Sequence, residues 1–116
     1  MAHIGILLTM APFQYENWET AANLADAAIE KKHSVSIFLY IDGVYNPLRK
    51  QSHPQQREFP FGRFSTLIRE NVRIVVCGTS AMLRGLTRED YIDGVVIGGL
   101  PDFALMLSEI DRLVCF

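Results

Sequence analysis

One cysteine, Cys77, stands where a reactive thiol could do chemistry. Residues 72–76, apolar except for Arg73, have the composition of a buried strand, and the small residues Gly78, Thr79 and Ser80 follow Cys77 at once. In an α/β protein, ligands bind at the carboxyl ends of parallel strands. The backbone N–H groups of a helix beginning there would favour thiolate over thiol. Cys77 is therefore a candidate nucleophile, with residues 78–80 as candidate anion-stabilising groups.

Each cysteine also has a simpler interpretation. Unpaired cysteine is among the most buried residue types, so Cys77 could be a small, inert core residue. Cys115 lies within the apolar terminal segment, and there we expect an inert, buried side chain. A disulfide between the two cysteines is disfavoured in a reducing compartment.

Further candidates come from segments that follow predicted strands, because the carboxyl ends of parallel strands share one edge of a sheet. These segments are residues 9–16, 42–62, 77–80 and 98–99. We expect them to form one crevice, and its candidate lining residues are Cys77, Thr79, Ser80, Gln14, Tyr15 and Glu16, with Arg84 or His53 as further members.

Arg84 invites comparison with phosphate-binding cysteine loops, but its spacing from Cys77 is one residue too long and glycine is scarce. A phosphatase is therefore disfavoured. The simpler expectation is that Arg84 caps a short helix or forms a surface ion pair. If it folded back toward Cys77, it could still stabilise the thiolate.

No cofactor or metal site is predicted. The segment after the first strand offers one hydroxyl, Thr9, and a proline, which does not suit the phosphate of FMN. The sequence contains neither a dinucleotide-binding glycine motif nor a Walker loop. The histidines at 3, 33 and 53 have no metal-ligand spacing with each other or with cysteine.

Size and composition indicate one globular domain spanning residues 1–116. The net charge of −2 gives no reason to expect nucleic acid or an anionic membrane as a partner. No apolar run reaches the roughly 18 residues of a membrane span. The first residues lack the basic and apolar regions of a signal peptide. With two distant cysteines and no disulfide framework, the expected location is the cytoplasm.

The elements needed to position Cys77 alternate between strand and helix. Strands are predicted at residues 4–8, 35–41, 72–76, 95–97 and 112–116. Helices are predicted from an N-cap at Asn17, at residues 64–70 and 80–86, from Thr87 with Asp90 in capping-box spacing, and from Pro101 to Glu109. Residues 42–62 are predicted to be a long loop. This alternation predicts an α/β fold with a mostly parallel, five-stranded sheet and helices on both faces.

The order and spacing of these stretches resemble the DsrE/DsrF-like family, which includes the TusD-type subunits of bacterial sulfur relays. The stretches that carry the resemblance are residues 4–9, 37–39 with 42–45, 76–78 with 84–86, 94 with 97–100, and 111–116. The resemblance implies one three-layer α/β/α domain that forms oligomers, commonly trimers or hexamers, either homomeric or with related subunits. It also implies that a cysteine at Cys77 carries sulfur as a persulfide between a donor and an acceptor protein, without a cofactor.

Some relatives have a second cysteine three residues after the first, and here that position is Ser80. A dithiol cycle with this pair is impossible, so a one-cysteine sulfur carrier, a possible sulfurtransferase, is the first hypothesis. The alternative is a non-catalytic oligomeric subunit or small-ligand binding module with an inert Cys77. A small thiol hydrolase or reductase is a weaker third possibility.

Overall fold

A computed structural model describes residues 1–51 and 60–116 of the chain. The candidate His53 and the middle of the predicted loop 42–62 lie outside the described residues.

The five predicted strands are present and form one parallel sheet. Their bounds are β1 (His3–Leu8), β2 (Ser34–Leu39), β3 (Arg73–Cys77), β4 (Val96–Gly98) and β5 (Arg112–Cys115). They lie in the order β4-β3-β2-β1-β5, and every pairing between neighbours is parallel. The inner strands β2 and β3 are buried along nearly their whole length, which explains their almost unbroken apolar sequence.

Within residues 1–51 and 60–116, four α-helices connect the strands, with two short 3₁₀ helices. Their bounds are α1 (Asn17–Glu30), α2 (Pro60–Arg69), α3 (Gly78–Leu83) and α4 (Leu100–Glu109), with 3₁₀ helices at Ile41–Tyr45 and Arg88–Asp90. The helix expected from Thr87 is only this second 3₁₀ helix, although its capping box forms as predicted. Asn17 begins α1, but Glu16, not Asn17, is its N-cap residue.

The helices cover both faces of the sheet. On α1, the buried alanines Ala21, Ala22, Ala25 and Ala28 form a narrow face that lets the helix pack closely on β1 and β2. On α4, the ring of Phe103 lies 4.9 Å from the ring of Phe38 on β2, measured between centroids. Right-handed crossovers explain why the helices divide between the two faces. The chain moves in one direction across the sheet from β1 to β4 and in the opposite direction from β4 to β5, so the last crossover lies on the other face. The three-layer α/β/α fold is confirmed.

The start of the predicted loop 42–62 is ordered structure, and so that expectation was wrong there. The first 3₁₀ helix is pressed so closely against β1 that a Cβ on Gly43 would collide with the carbonyl oxygen of Leu8. The buried Asn46 donates from Nδ2 to the carbonyl oxygens of Met10 (2.9 Å) and Gly43 (2.8 Å). The buried Tyr91 donates its hydroxyl to the carbonyl oxygen of Val44 at 2.9 Å. Side chains thus satisfy the polar backbone of a segment lying against the core.

We predict that the Tyr91 hydroxyl makes the free energy of unfolding fall as the pH rises into the alkaline range. Burial raises the pKa of Tyr91 above its ordinary value. Above a pH of about 10 the unfolded chain loses this proton while the folded chain keeps it, so stability falls by up to about 1.4 kcal/mol per pH unit. In Tyr91→Phe this contribution should be absent. The variant should also lose about 1 kcal/mol at neutral pH, because the Val44 carbonyl loses its partner.

Urea unfolding between neutral pH and pH 11 measures both effects. Tyr15→Phe is the matched control, because Tyr15 is exposed and its replacement should preserve the wild-type slope. If the free energy of unfolding fell with pH at the same slope in wild type and Tyr91→Phe, the Tyr91 proton would not stabilise the fold.

Candidate functional site

Cys77 is both the last residue of β3 and the N-cap residue of α3. The chain turns from strand to helix at this point because Gly78 follows. A Cβ on Gly78 would come within 2.9 Å of the carbonyl oxygen of Gly98, so a larger residue could not begin α3 this close to the end of β4. The expectation that Cys77 lies at the carboxyl edge of a parallel strand is therefore met.

A surface pocket of about 490 Å³ opens at this edge of the sheet. Three adjacent parallel strands contribute to it, because the segments following β2, β3 and β4 all meet there. Its lining residues are Tyr40, Ile41, Cys77, Thr79, Ser80, Leu83, Arg84, Gly99, Leu100 and Pro101. Most of this lining is apolar, and Ile41, Leu83 and Leu100 are also exposed to solvent.

Cys77 lines this pocket but only 2% of its surface is exposed. The sequence-based picture of an accessible thiol at the rim of the sheet needs correction, since the residue forms an inner wall. Its burial follows from its position in β3, where four of five residues are buried between neighbouring strands and helices. A reagent must pass the exposed pocket walls before it reaches the sulfur.

The structure brings together some predicted site residues and separates others. Thr79, Ser80 and Arg84 line the pocket with Cys77, and Gly78 is the adjoining first residue of α3. The other three candidates, Gln14, Tyr15 and Glu16, are exposed but are not among the lining residues of this pocket. They follow β1, and β2 lies between β1 and β3. Their assignment to the crevice was wrong because strand order could not be predicted.

The sequence analysis missed two parts of the pocket wall. Tyr40 and Ile41 were assigned to a strand or its end, although the chain leaves β2 at Leu39 and turns. Leu100 was predicted to lie in a turn with Gly98 and Gly99, and Pro101 at the start of a helix, although the Gly98-Gly99 pair was expected at this edge. Their position directly after that pair was the signal in the sequence that could have placed them at the same edge of the sheet.

Arg84 makes both of the contacts considered from the sequence. Its Nη1 donates to the carbonyl oxygen of Ser80 at 3.0 Å, near the end of α3. Its Nε and Nη2 each lie 2.9 Å from Oδ1 of Asp42. The Asp42 carboxylate thus offsets the charge of the one cationic side chain among the lining residues.

Ser80 is buried, and its hydroxyl oxygen accepts a hydrogen bond from the backbone N–H of Ile41 at 3.2 Å. The residue that replaces the second cysteine of some relatives therefore joins α3 to the first 3₁₀ helix. Thr79 is exposed and lines the pocket.

Cys115 is distant from this pocket and, contrary to expectation, exposed. It lies on β5, an edge strand, which explains why an apolar segment is not enclosed. From β3 to β5 there are three strand spacings of about 4.8 Å, or roughly 14 Å. A disulfide requires Cα atoms within about 7 Å, so Cys77 and Cys115 cannot be joined within one chain.

Among the described residues, no three His, Cys, Asp or Glu side chains are grouped to hold a metal ion. Likewise, none of the helices within residues 1–51 and 60–116 combines the length and apolar character needed to cross a membrane.

Fold and site define a class of protein, an open parallel α/β sheet with a single cysteine facing a pocket at the end of an inner strand. A family model described as the DsrE/DsrF-like family matches residues 2–116. The chain belongs to this family, and the resemblance noted in its sequence is confirmed.

Named relatives match over most of their length. The DsrE protein of Allochromatium vinosum is 34% identical over 118 residues, which cover 90% of this chain and 91% of that protein. A protein named as a sulfurtransferase TusD homolog, from Vibrio parahaemolyticus, is 33% identical over 111 residues, covering 84% of each chain. Among solved structures, the ychN protein of E. coli superposes with a TM-score of 0.91 at 30% identity, with 100% of both chains covered.

Proposed function

We propose that this protein is a sulfur-relay carrier, in which Cys77 accepts persulfide sulfur from a donor protein and passes it to an acceptor. The observation that carries the proposal is that Cys77 faces a pocket at the carboxyl end of β3. A relative in Vibrio parahaemolyticus that is named a sulfurtransferase supports the same chemistry. Both cysteines are unpaired, as a cytoplasmic thiol carrier requires.

The transfer is an exchange at sulfur and needs no cofactor. The Cys77 thiolate attacks the outer sulfur of a donor persulfide, R–S–SH, and a new S–S bond forms on Cys77. The S–S bond of the donor breaks, the donor leaves as the thiolate R–S⁻, and the outer sulfur keeps its proton. An acceptor thiolate then attacks that outer sulfur and releases Cys77 as a thiolate. Each step exchanges one S–S bond for another, so no net oxidant is consumed.

Residues beside Cys77 support the anionic forms in this scheme. The backbone N–H groups at the start of α3, from Gly78 to Ser80, directly follow Cys77 in the chain, and as the positive end of peptide dipoles they would stabilise an anionic sulfur. The Thr79 hydroxyl is the better placed side-chain donor, because the Ser80 hydroxyl is engaged with Ile41. The exchange needs only one thiol on the carrier. Ser80 occupies the position where some relatives have a second cysteine, so Cys77 would act without a resolving thiol there.

The alternative function is a non-catalytic subunit or small-ligand binding module in which Cys77 only packs. Its supporting observation is the 2% exposure of Cys77. The pocket and its apolar walls would then bind a small ligand without reaction at sulfur. The two functions differ in whether sulfur becomes covalently attached to Cys77.

We predict that incubation with a cysteine desulfurase and cysteine adds one sulfur atom to the protein, and that a reducing agent removes it. Intact-mass spectrometry measures the added sulfur. Cys77→Ser should remain unloaded because its oxygen cannot form the persulfide. Cys115→Ser is the matched control and should load like wild type, since Cys115 lies on the far edge strand.

Equal loading of Cys77→Ser and wild type would remove Cys77 from its role. Loading that disappears only in Cys115→Ser would move the carrier site to β5. A wild-type protein that accepts no sulfur, while a known carrier loads in the same reaction, would favour the non-catalytic alternative.

We also propose that the carrier assembles with copies of itself or with related subunits into trimers or hexamers. Of the residues of α4, only Met106 is buried, whereas Leu105 is 55% and Leu107 43% exposed. Leu113 on the edge strand β5 is 38% exposed. Exposed apolar side chains of this size, on a helix and on the edge strand that follows it, are typical of a surface that another subunit covers.

We predict that sedimentation analysis finds an assembled wild-type protein. Leu105→Glu combined with Leu113→Glu should shift it toward the monomer, because the charges would be buried unpaired in the contact. Thr66→Glu, on the exposed surface of α2, is the control and should leave the assembly unchanged. A monomeric wild-type protein at the highest soluble concentration would contradict the proposed assembly.

A further inference from the structure

The backbone of Ile41 is held in an unfavourable conformation at the wall of the Cys77 pocket. Its φ of 55° lies in the left-handed region, where a β-branched residue is a genuine outlier. The Cβ of an L-residue crowds the backbone in this region, so the conformation persists only where surrounding contacts impose it. Ile41 is also 44% exposed and lines the pocket, so the core does not hold its side chain in place.

Two contacts from α3 hold this turn. The Ser80 hydroxyl accepts the hydrogen bond of the Ile41 N–H at 3.2 Å. The guanidinium of Arg84 donates through Nε to Oδ1 of Asp42, the next residue, at 2.9 Å, and its Nη2 forms an ion pair with the same oxygen at 2.9 Å. These contacts involve the two residues at the pocket end of the 3₁₀ helix, and they come from Ser80 in α3 and from Arg84, the C-cap residue of α3.

The other end of the same 3₁₀ helix is held differently. Gly43 lies against the Leu8 carbonyl, and the buried Asn46 and Tyr91 donate to carbonyl oxygens in or beside this segment. Those contacts are within the core. The attachment to α3 is nearer the solvent, with the side chains of Arg84 and Asp42 being 22% and 53% exposed. The pocket end is therefore attached by the buried Ser80 and by an ion pair that solvent reaches, whereas the contacts at the core end are buried.

We propose that Ser80 and the Arg84–Asp42 ion pair form a latch that holds Ile41 at the pocket wall and so controls access to Cys77. Because only 2% of Cys77 is exposed, a sulfur donor must displace part of the wall to reach it. Ile41 is the part of the wall whose position depends on the latch, whereas the N–H of Tyr40 is held by the carbonyl oxygen of Leu8 at 3.1 Å. Ser80, Arg84 and Asp42 are positioning residues here, since they act through Ile41.

This inference concerns the regulation of the proposed carrier site and rests on the proposed function for its purpose. The latch also explains why a serine suits position 80. A hydroxyl oxygen accepts the hydrogen bond from the N–H of Ile41 better than a thiol would, because sulfur is a weak acceptor. The latch also gives a docking protein a means to open the pocket, because a charged side chain on its surface could compete for Arg84 or Asp42.

The test measures access to Cys77 directly, in the full chain with Cys115→Ser as the background. A bulky maleimide labels the remaining thiol, and intact-mass spectrometry follows the rate. Asp42→Asn and Ser80→Ala should each label several-fold faster than the background protein. Asp93→Asn is the matched control, because it disrupts a comparable exposed ion pair, Arg49–Asp93 (3.1 Å), whose residues do not line this pocket, and its rate should be unchanged.

Amide hydrogen exchange separates local opening from general loosening. With a latch, Asp42→Asn speeds exchange at Ile41 while the amides of β1 keep their protection. Unchanged labelling rates in both variants would overturn the proposal. So would faster labelling accompanied by equally faster exchange in β1, because that result indicates global opening. No sulfur donor is used, so a working latch in a protein that fails to load sulfur would refute only the proposed function.

Discussion

The parallel register of β2, β3 and β4 is the constraint on which the rest of the structure depends. Leu39 pairs with Val76, Val76 with Ile97, and Cys77 with Gly98. The three strands therefore end at nearly the same level, and the segments that follow them converge on one pocket. A slip of one residue in β3 would turn Cys77 toward the opposite face of the sheet. The thiol faces the pocket only because buried side chains on both faces fix this register.

The burial of Cys77 restricts access to the sulfur, whereas the proposed carrier role requires access, and the proposed latch would reconcile the two. A persulfide exposed to solvent would meet every small thiol in a reducing compartment, and such thiols would remove its outer sulfur. A sulfur enclosed by a wall that opens on docking would instead be transferred to a chosen acceptor. The conformation of Ile41 fits this account, since strained backbone is found where the surroundings hold a functional segment in place.

Local sequence patterns predicted the elements because those depend on neighbouring residues. The unbroken apolar runs gave five strands, and the capping-box spacing at Thr87 formed as expected, although the helix behind it is shorter. Cys77, Thr79 and Ser80 share the pocket because a few consecutive residues place them together. Arg84 joins them because the single short helix that begins after Cys77 brings it to the same opening.

Features that depend on distant contacts were not predictable. Gln14 was misplaced because strand order decides which loops become neighbours, and no local pattern encodes that order. The exposure of Cys115 follows from β5 being at an edge, which is again a matter of order. The role of Asp42 depends on a contact with Arg84, and the turn at Ile41 depends on Ser80, far away in the sequence.

The central claim is that the carried sulfur resides on Cys77 inside the pocket. A crystal structure of the protein after sulfur loading tests it most directly. The account predicts one additional sulfur atom bonded to Sγ of Cys77, lying in the pocket bounded by Ile41 and Leu100, with Cys115 unmodified. An additional sulfur on Cys115, with Cys77 unchanged in a closed core, would contradict it.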